Sequence, residues 1–492
     1  MNKIWQQFSY HPLGIIGLVV VSIFIAAGVY APFLASNKPL IVEYDGTFYF
    51  PLFRYLFYPG FYTKRLDLFF NLLIFTLPLF LVVFFFFKRL KKPALIFLCL
   101  VQAGLFLFII LVPMGDPASD PLINREKQKM IQKAVRSEDI EEMERILSWP
   151  FQLEFKSDYA KLNLLVEYKI LKEQNEKLVK ATSKSDLSTL YQIRRSGERI
   201  IVEGLEDSLK TDPRQPLKRA ELGYYLDKQR WLETESKNLN WMIMPLIRPF
   251  HWQTDAGGSQ ALNRIAPWLE LTRINHKDLA AGLIFGIRIS LVVGILSVTL
   301  ALAIGVPLGS AAGYFGGKLD IILSRLLEIW ESMPIFFMLL LVVGIVQSKS
   351  IFLVMSVIGL FGWTGFSRYI RGEFFKQRNL PYVEACRAQG FSNFYIMFRH
   401  VLPNAIPPLL TLLPFAVMGA ITSEAGLSFL GLGEEGSCSW GVLMDEGRTA
   451  FPGQSYLLWP PAIILTVLLV AIALMGDALR DSIDPKLHRE RD

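Results

Sequence analysis

Cysteine and histidine are scarce in this chain, at 3 and 5 of 492 residues. Cys99, Cys386 and Cys438 fall in an apolar run, a basic segment and an acidic segment, so no two are expected to meet in one oxidising compartment. That excludes a structural disulfide and a cysteine-held metal. His11, His251, His276, His400 and His488 are scattered without metal-ligand spacing. A phosphate-binding loop is missing too: Gly313 to Lys318 has Ala312 where the first glycine belongs, and Leu319 where Ser or Thr would follow the lysine. Gly426-Leu-Ser428-Phe-Leu430 lacks the second glycine of a nucleophile elbow. The middles of the apolar runs carry no Asp, Glu, Lys or Arg, which argues against a carrier driven by ion binding inside the membrane. Hydrolase and metalloenzyme chemistry have no residues to rest on.

What the chain has is apolar surface. Hydrophobic residues make up 52% and aromatic residues 13% of it, more than a soluble protein of this length hides in its core. Runs near the ~20 residues that cross a bilayer stand at 13–33, 68–87, 94–112, 289–309, 327–347, 351–367, 405–422 and 457–476. Eight spans are expected, with Glu328 and Glu331 at the rim of the fifth and Pro407, Pro408 and Pro414 kinking the seventh. The first run outlasts the roughly 7–15 residues of a signal-peptide core and reads as a retained anchor. Three basic clusters account for the net charge of +7: Arg368 to Arg399, Lys88 to Lys92, and Lys486 to Arg491. The positive-inside bias places all three, and both termini, on the cytoplasmic side. Nucleic acid is not implied.

Residues 381–404 form a polar island between two spans. Pro381 suits the first turn of a short helix, Gly390 supplies a left-handed stop, and Ser392 or Asn393 can cap a second short helix ending before Pro403. With Glu384-Ala385-Cys386, Gly390 and Leu402-Pro403 in this order, the island resembles the EAA loop of ABC-importer permeases, whose coupling helix fits a cleft on the ATPase subunit. Cys386 replaces the usual second alanine. From about His276 to Pro485 the chain resembles the C-type permease subunit of oligopeptide and dipeptide importers. The stretches that carry this are Gly286-Ile-Arg288-Ile-Ser290, Ala312 to Asp320, Glu424 to Gly433, Ser439-Trp440-Gly441, and Gly476 to Asp481 with Asp484-Pro485. Ser36 to Pro51 and Met244 to Phe250 look like the subgroup typified by the microcin C importer.

The resemblance implies a mechanical site. Glu384, Ala385, Arg387, Gly390, Arg399, His400 and Pro403 would couple to the ATPase, with Ala385 and Ala388 permitting close approach and His400 either bracing the second short helix or facing lipid headgroups. Residues 423–456, expected as an external loop, carry Glu424, Glu434, Glu435, Trp440 and Asp445. They read as a gate or binding-protein contact, or as a solvated acidic loop.

Between the N-terminal landmarks lies an insertion, about residues 62–240. Its part 121–240 has 23 Lys plus Arg against 21 Asp plus Glu and three glycines, which points to short amphipathic helices. It is either a helical subdomain steadying the external face or a contact for a solute-binding protein.

The expected fold is thus an all-α integral membrane protein: a type I ABC importer permease core plus an inserted two-helix membrane hairpin and external helical subdomain, with about eight transmembrane helices. The expected divisions are 1–61 (first span and external loop), 62–115 (hairpin), 116–246 (subdomain), 247–280 (connector) and 281–492 (core). The implied function is non-catalytic movement of peptides across a bacterial inner membrane. Partners would be a second homologous permease, two ATPase subunits that bind the ATP, a periplasmic solute-binding protein and the lipid bilayer, with no cofactor on this chain. Rival readings are import of a nickel chelate or glycoconjugate, secondary transport, and a membrane-anchored receptor.

Overall fold

The structure, a computed structural model, describes residues 2–36, 38–57, 65–86, 91–112, positions between 129 and 172, 206–210, 216–247, 273–274, 277–347, 349–434, 437–449 and 458–483. In chain order the elements are α1 (Asn2–Ser9), α2 (Pro12–Val29), α3 (Ala31–Leu34), β1 (Ile41–Tyr44), β2 (Thr47–Tyr49), α4 (Pro51–Tyr55), α5 (Arg65–Phe86), α6 (Lys91–Leu111), α7 (Pro216–Glu235) and β3 (Leu239–Ile243). After the short pair β4 (Arg273–Ile274) and β5 (Lys277–Asp278) come α8 (Leu279–Phe315), α9 (Gly317–Ser332), α10 (Ile335–Val346), α11 (Ile351–Gln377), α12 (Pro381–Ala388) and α13 (Asn393–Tyr395). A π turn, Ile396–Val401, leads into α14 (Leu402–Leu410) and α15 (Leu413–Leu427), a second, Ser428–Leu432, follows α15, and α16 (Trp440–Thr449) and α17 (Trp459–Ile483) complete the series. The chain divides into two compact units, Met1–Gly28 with Phe285–Asp492, and Val29–Ile284.

Seven of the described helices are long and apolar enough to cross a bilayer, and α9 with α10 make an eighth crossing if the pair, bent by 77°, is one span. The contacts between α8 and α11 favour that count. A Cβ built on Gly305 would lie 2.5 Å from the Trp363 carbonyl oxygen, on Gly309 2.3 Å from that of Ser367, and on Gly313 2.6 Å from that of Arg371. Ser297 Oγ donates to the Met355 carbonyl at 3.0 Å two turns further back. Residue number rises together along both helices, so they run parallel. Two parallel spans need one recrossing between them, and α9–α10 is the segment that supplies it. The expected straight fifth span is instead broken at Pro334, which puts Met333 in extended backbone (φ −86°, ψ 121°) and starts α10 afresh.

The glycine seam lets α8 and α11 approach until backbone meets backbone, the small-residue packing that membrane helices use where apolar burial alone brings no gain over lipid. Beyond it, Gly316 and Gly317 both take positive φ (67° and 57°) and form the tight turn expected of them. Arg371 then clamps Asp320 of α9 with two hydrogen bonds, one of 2.9 Å, and Arg378 donates to the Gly313 carbonyl at 3.2 Å.

In the other unit, α5 and α6 pair antiparallel around a buried polar clasp: Thr76 Oγ1 donates to Gln102 Oε1 at 2.8 Å, and Gln102 Nε2 to the Phe69 carbonyl at 3.1 Å. The described residues also hold strands, which an all-helical expectation omits. A three-stranded antiparallel sheet runs in the order β2-β1-β3. Val42 and Tyr44 on its inner face pack on Leu162, Leu165 and Val166 of the helical stretch 158–166 and on Leu232 of α7. Landmarks on either side of the insertion are therefore zipped together, with Leu40 N donating to the Ile243 carbonyl at 2.8 Å and Ile247 N to that of Leu34 at 2.8 Å. A cut at residue 240 would split β3.

Tyr44 Oη and Lys161 Nζ both donate to Glu235 Oε1 at the edge of this core. The bond from Lys161, then that from Tyr44, hold the Glu235 carboxyl below its usual pKa. Stability from a lowered carboxylate is present above the unfolded value and is lost as pH falls through the folded one. Protease resistance of the sheet and of the helical stretch 158–166 will therefore fall on acidification below about pH 4.5, and Glu235→Gln will flatten that dependence.

Candidate functional site

The 381–404 segment is built from local signals. Pro381 opens α12 in its first turn. The helix stops in a paired motif: Gly390 N donates to the Arg387 carbonyl at 2.9 Å and Phe391 N to that of Cys386 at 3.2 Å, with Gly390 at φ 76°. A Cβ on Gly390 would meet nothing within 4 Å, so the demand for glycine here is conformational and not steric. Ser392 caps the next helix by accepting from Tyr395 N. That helix does not end before Pro403 as expected. The π turn Ile396–Val401 carries it into α14, with Pro403 in the first turn of α14.

One side of this helix-turn-helix is anchored and the other is bare. Val383, Ile396, Met397 and Val401 are buried in the core with Phe374 and Tyr314. Tyr314 Oη donates to Asn393 Oδ1 at 3.1 Å, and the Arg387 guanidinium lies 5.3 Å above the Tyr314 ring. Glu384, Ala385, Arg387, Gly390, Arg399 and Pro403 are exposed, as are Phe391, Phe394, Tyr395 and Phe398. His400 is half-buried, its ring 5.4 Å from Tyr395 and 6.3 Å from Phe391, so it braces the turn. Asn393, a candidate cap in the sequence, instead pairs with Tyr314, a partner that nothing local marks. The result is a rigid, polar and aromatic knob that contains every predicted coupling residue.

The second predicted cluster does not form an exposed acidic loop. Glu424 lies in α15 at 3% exposure, where Ser428 Oγ and Ser439 Oγ each donate to its Oε1 at 2.6 Å. Trp440, 1% exposed, opens α16 with its ring edge-on to Phe24 at 6.2 Å. Gly286 is the only residue that fits beside that indole, since a Cβ there would stand 2.5 Å from Nε1. Gly441 closes α16 onto α15, its Cβ position 2.4 Å from the Ala425 carbonyl oxygen. As surface contacts, then, Glu424 and Trp440 are corrected: helix packing takes both inside. Asp445 pairs with Arg448, which also covers Phe429, while Glu434 is half-buried and Glu435 lies outside the described residues.

Two charges buried well inside span-length helices also contradict the expectation of spans free of them in their middles. Glu424 falls in the span-length stretch Leu413–Leu432, and Arg288, fully buried, in Leu279–Phe315. Arg288 Nε donates to the Gly28 carbonyl at 2.7 Å, with the guanidinium 5.0 Å over the Phe285 ring. Each is tolerated because it faces a helix contact with hydrogen-bond partners in place, not lipid. An arginine and a serine interrupting an apolar run, as in Arg288-Ile-Ser290, were the available signal for the buried arginine.

Cys438 is wholly buried and Cys386 half-buried. Cys438 is therefore closed to a reagent in solution. In folded protein a hydrophilic maleimide will label Cys386 and spare Cys438 until denaturant is added, as read by mass spectrometry of the peptides.

Residues 305–489 match the family described as binding-protein-dependent transport system inner membrane component. Residues 1–51 match the N-terminal TM domain of oligopeptide transport permease C. The chain is 40% identical over 212 residues to the peptidoglycan transport system permease protein YejE of Agrobacterium fabrum, covering 43% of this chain and 55% of that one. It is 33% identical over 260 residues to the inner membrane ABC transporter permease protein YejE of Escherichia coli, covering 52% of this chain and 75% of that one. With the oligopeptide transport system permease protein OppC of Haemophilus influenzae it shares 37% identity over 216 residues, 44% and 69% of the two chains. Among solved structures it is similar to the inward-facing MetNI methionine ABC transporter, at 18% identity and a TM-score of 0.35 over 41% of this chain and 96% of that one. The two family matches bracket residues 52–304, where the α5–α6 hairpin and β3 lie, while β1 and β2 fall within the first match. By these matches the chain belongs to the inner-membrane permease family of binding-protein-dependent ABC transporters, in its oligopeptide and dipeptide branch.

Proposed function

We propose that this chain is the non-catalytic translocation subunit of an importer that moves peptides inward across a bacterial inner membrane. It pairs with a second homologous permease, two ATPase subunits and a periplasmic solute-binding protein, and both termini are cytoplasmic. The observation that supports this best is the 381–404 knob, bare on the side of Glu384, Ala385 and Arg387 and braced from behind by Val383 and Tyr314. A rigid projection of this kind transmits a push from a closing ATPase pair into α11 and α14, which bear on its buried side. Arg387 and Arg399 offer cations to carboxylates of the ATPase, Gly390 and Pro403 set the turn and its return, and His400 keeps the turn stiff. ATP is held by the ATPase subunits, and this chain needs no cofactor.

At the opposite end of the mechanism, Glu424 ties α15 to α16 through Ser428 and Ser439, with Trp440 wedged behind. That joint moves α16 as one piece with α15. In this reading Glu434 and Asp445 are the acidic groups of this segment that meet a binding protein or a peptide's ammonium group.

Proteoliposomes holding this chain with its second permease and ATPase subunits test the reading. Peptide-loaded binding protein is expected to stimulate ATP hydrolysis and drive peptide accumulation. Since one relative carries peptidoglycan transport in its name, glycosylated peptides belong in the same panel, together with a nickel chelate. Accumulation of the chelate alone, or of no solute with ATP, would overturn it.

A further inference from the structure

The sheet of the Val29–Ile284 unit buries only one face. On the other, Glu43 of β1 pairs with Phe48 of β2 and with Trp241 of β3, so the three form one cross-strand row. Ile41 opposite Ile243 forms the next row. Phe48 is 60% exposed and Trp241 47%, with their rings edge-on at 6.4 Å. A sheet face of this composition in water would be an aggregation hazard, so something covers it.

The covering medium is indicated by where the aromatic surface leads. Phe50 follows Phe48 at the two-residue period that keeps both on one face. From there the rings continue without a gap: Phe50 to Phe53 at 6.3 Å, then Phe53 to Phe75 at 6.4 Å. Phe33 and Phe57 flank this ridge at 5.5 Å from Phe53 and 6.0 Å from Phe75. Phe75 belongs to α5, which is of membrane-spanning length and apolarity. Along α5, Leu66, Leu68, Phe70, Leu72 and Ile74 are buried, whereas Phe75, Leu79, Leu81, Val82 and Phe84 are exposed. The aromatic ridge therefore joins the sheet's bare face to the surface of α5 that meets lipid.

We propose that the outer face of the sheet, Phe48 with Trp241 and Ile243, lies in the headgroup and upper acyl layer of the bilayer that the chain itself spans. Tryptophan and phenylalanine suit that layer, which accepts an apolar ring with a wet rim, and Glu43 between them can reach the aqueous side. Seated there, the sheet ties the insertion to the membrane plane and leaves the helices behind it, 158–166 and α7, turned to water.

The test is depth-resolved fluorescence of the full chain, assembled with its partner subunits in proteoliposomes. Cys99 and Cys386 are replaced by alanine, buried Cys438 is left in place, and Phe48→Cys carries an environment-sensitive label. Trp241→Cys is the second labelling site, and Arg230→Cys on α7 the contrast. Labels at 48 and 241 are expected to emit at short wavelength and to be quenched at least about twofold more by a nitroxide high on the lipid acyl chain than by one near the bilayer centre. Aqueous iodide should reach only the label at 230. Water-like emission with strong iodide quenching at 48 and 241 would overturn the proposal. So would a short-wavelength shift that appears only when the solute-binding protein is added, which would make the face a protein-docking surface.

Discussion

Gly390→Val, in the assembled transporter, will cut binding-protein-stimulated ATP hydrolysis at least about tenfold while the chain still inserts, because valine at φ 76° carries strain on the order of 1–3 kcal/mol. No clash absorbs or masks this effect, since a Cβ at Gly390 would meet nothing within 4 Å. The strain is relieved only by opening the stop made by Gly390 N with Arg387 and Phe391 N with Cys386, which swings α13 away from Tyr314. Gly390→Asn is the control, because asparagine visits the left-handed region and should retain most of the activity. Glu384→Lys will give a similar loss by a separate route: it reverses an exposed charge in the first turn of α12, where an acidic group also favours the helix. If both variants keep full stimulated hydrolysis and peptide uptake, the knob is not the coupling element.

Gly309→Leu will act on the fold itself. Its first side-chain atom would stand 2.3 Å from the Ser367 carbonyl oxygen and 2.4 Å from Ile370 Cγ2, both on a helix that runs parallel to α8 in register over several turns. Overpacking a tight interface costs about 1–3 kcal/mol where neighbours can shift. Here the neighbour is backbone, and Gly305 and Gly313 one turn away on either side hold it in place, so the helices must part along the seam. Detergent-solubilised Gly309→Leu will aggregate on size exclusion or melt well below the wild-type chain. The same change at Gly344, whose Cβ position is open, will leave both measurements unchanged. Equal behaviour of the two variants would show that the seam does not hold the core together.

The positions of the spans were legible because lipid demands long apolar helices, and that demand is written residue by residue. Their extents were less so. The fourth, read as 289–309, runs from Leu279 to Phe315, since a helix need not stop where its apolar stretch does. Pro381, Gly390 and Ser392 could be assigned from sequence because capping and stopping a helix involve residues within a turn of one another. The four-residue spacing of Gly305, Gly309 and Gly313 was equally readable, but the helix it faces was not, because nothing local marks Ser367 as its partner.

By itself the sequence determined that this chain spans a membrane repeatedly and presents a stopped helix pair at 381–404, both properties set by composition or by neighbours in the chain, and its motifs carry the resemblance to peptide-type permeases. Only the tertiary structure decided the rest. Glu424 became a buried joint because Ser439, fifteen residues on, folds back to it. Cys438 and Trp440 went inside because Gly286, far off in sequence, leaves room for the indole. The two ends of the insertion are closed by a sheet because β3 pairs with β1 across nearly two hundred residues, through backbone hydrogen bonds that any side chains of similar size would allow. Burial and pairing at such separations depend on which surfaces meet, and that information lies in no single stretch of the chain.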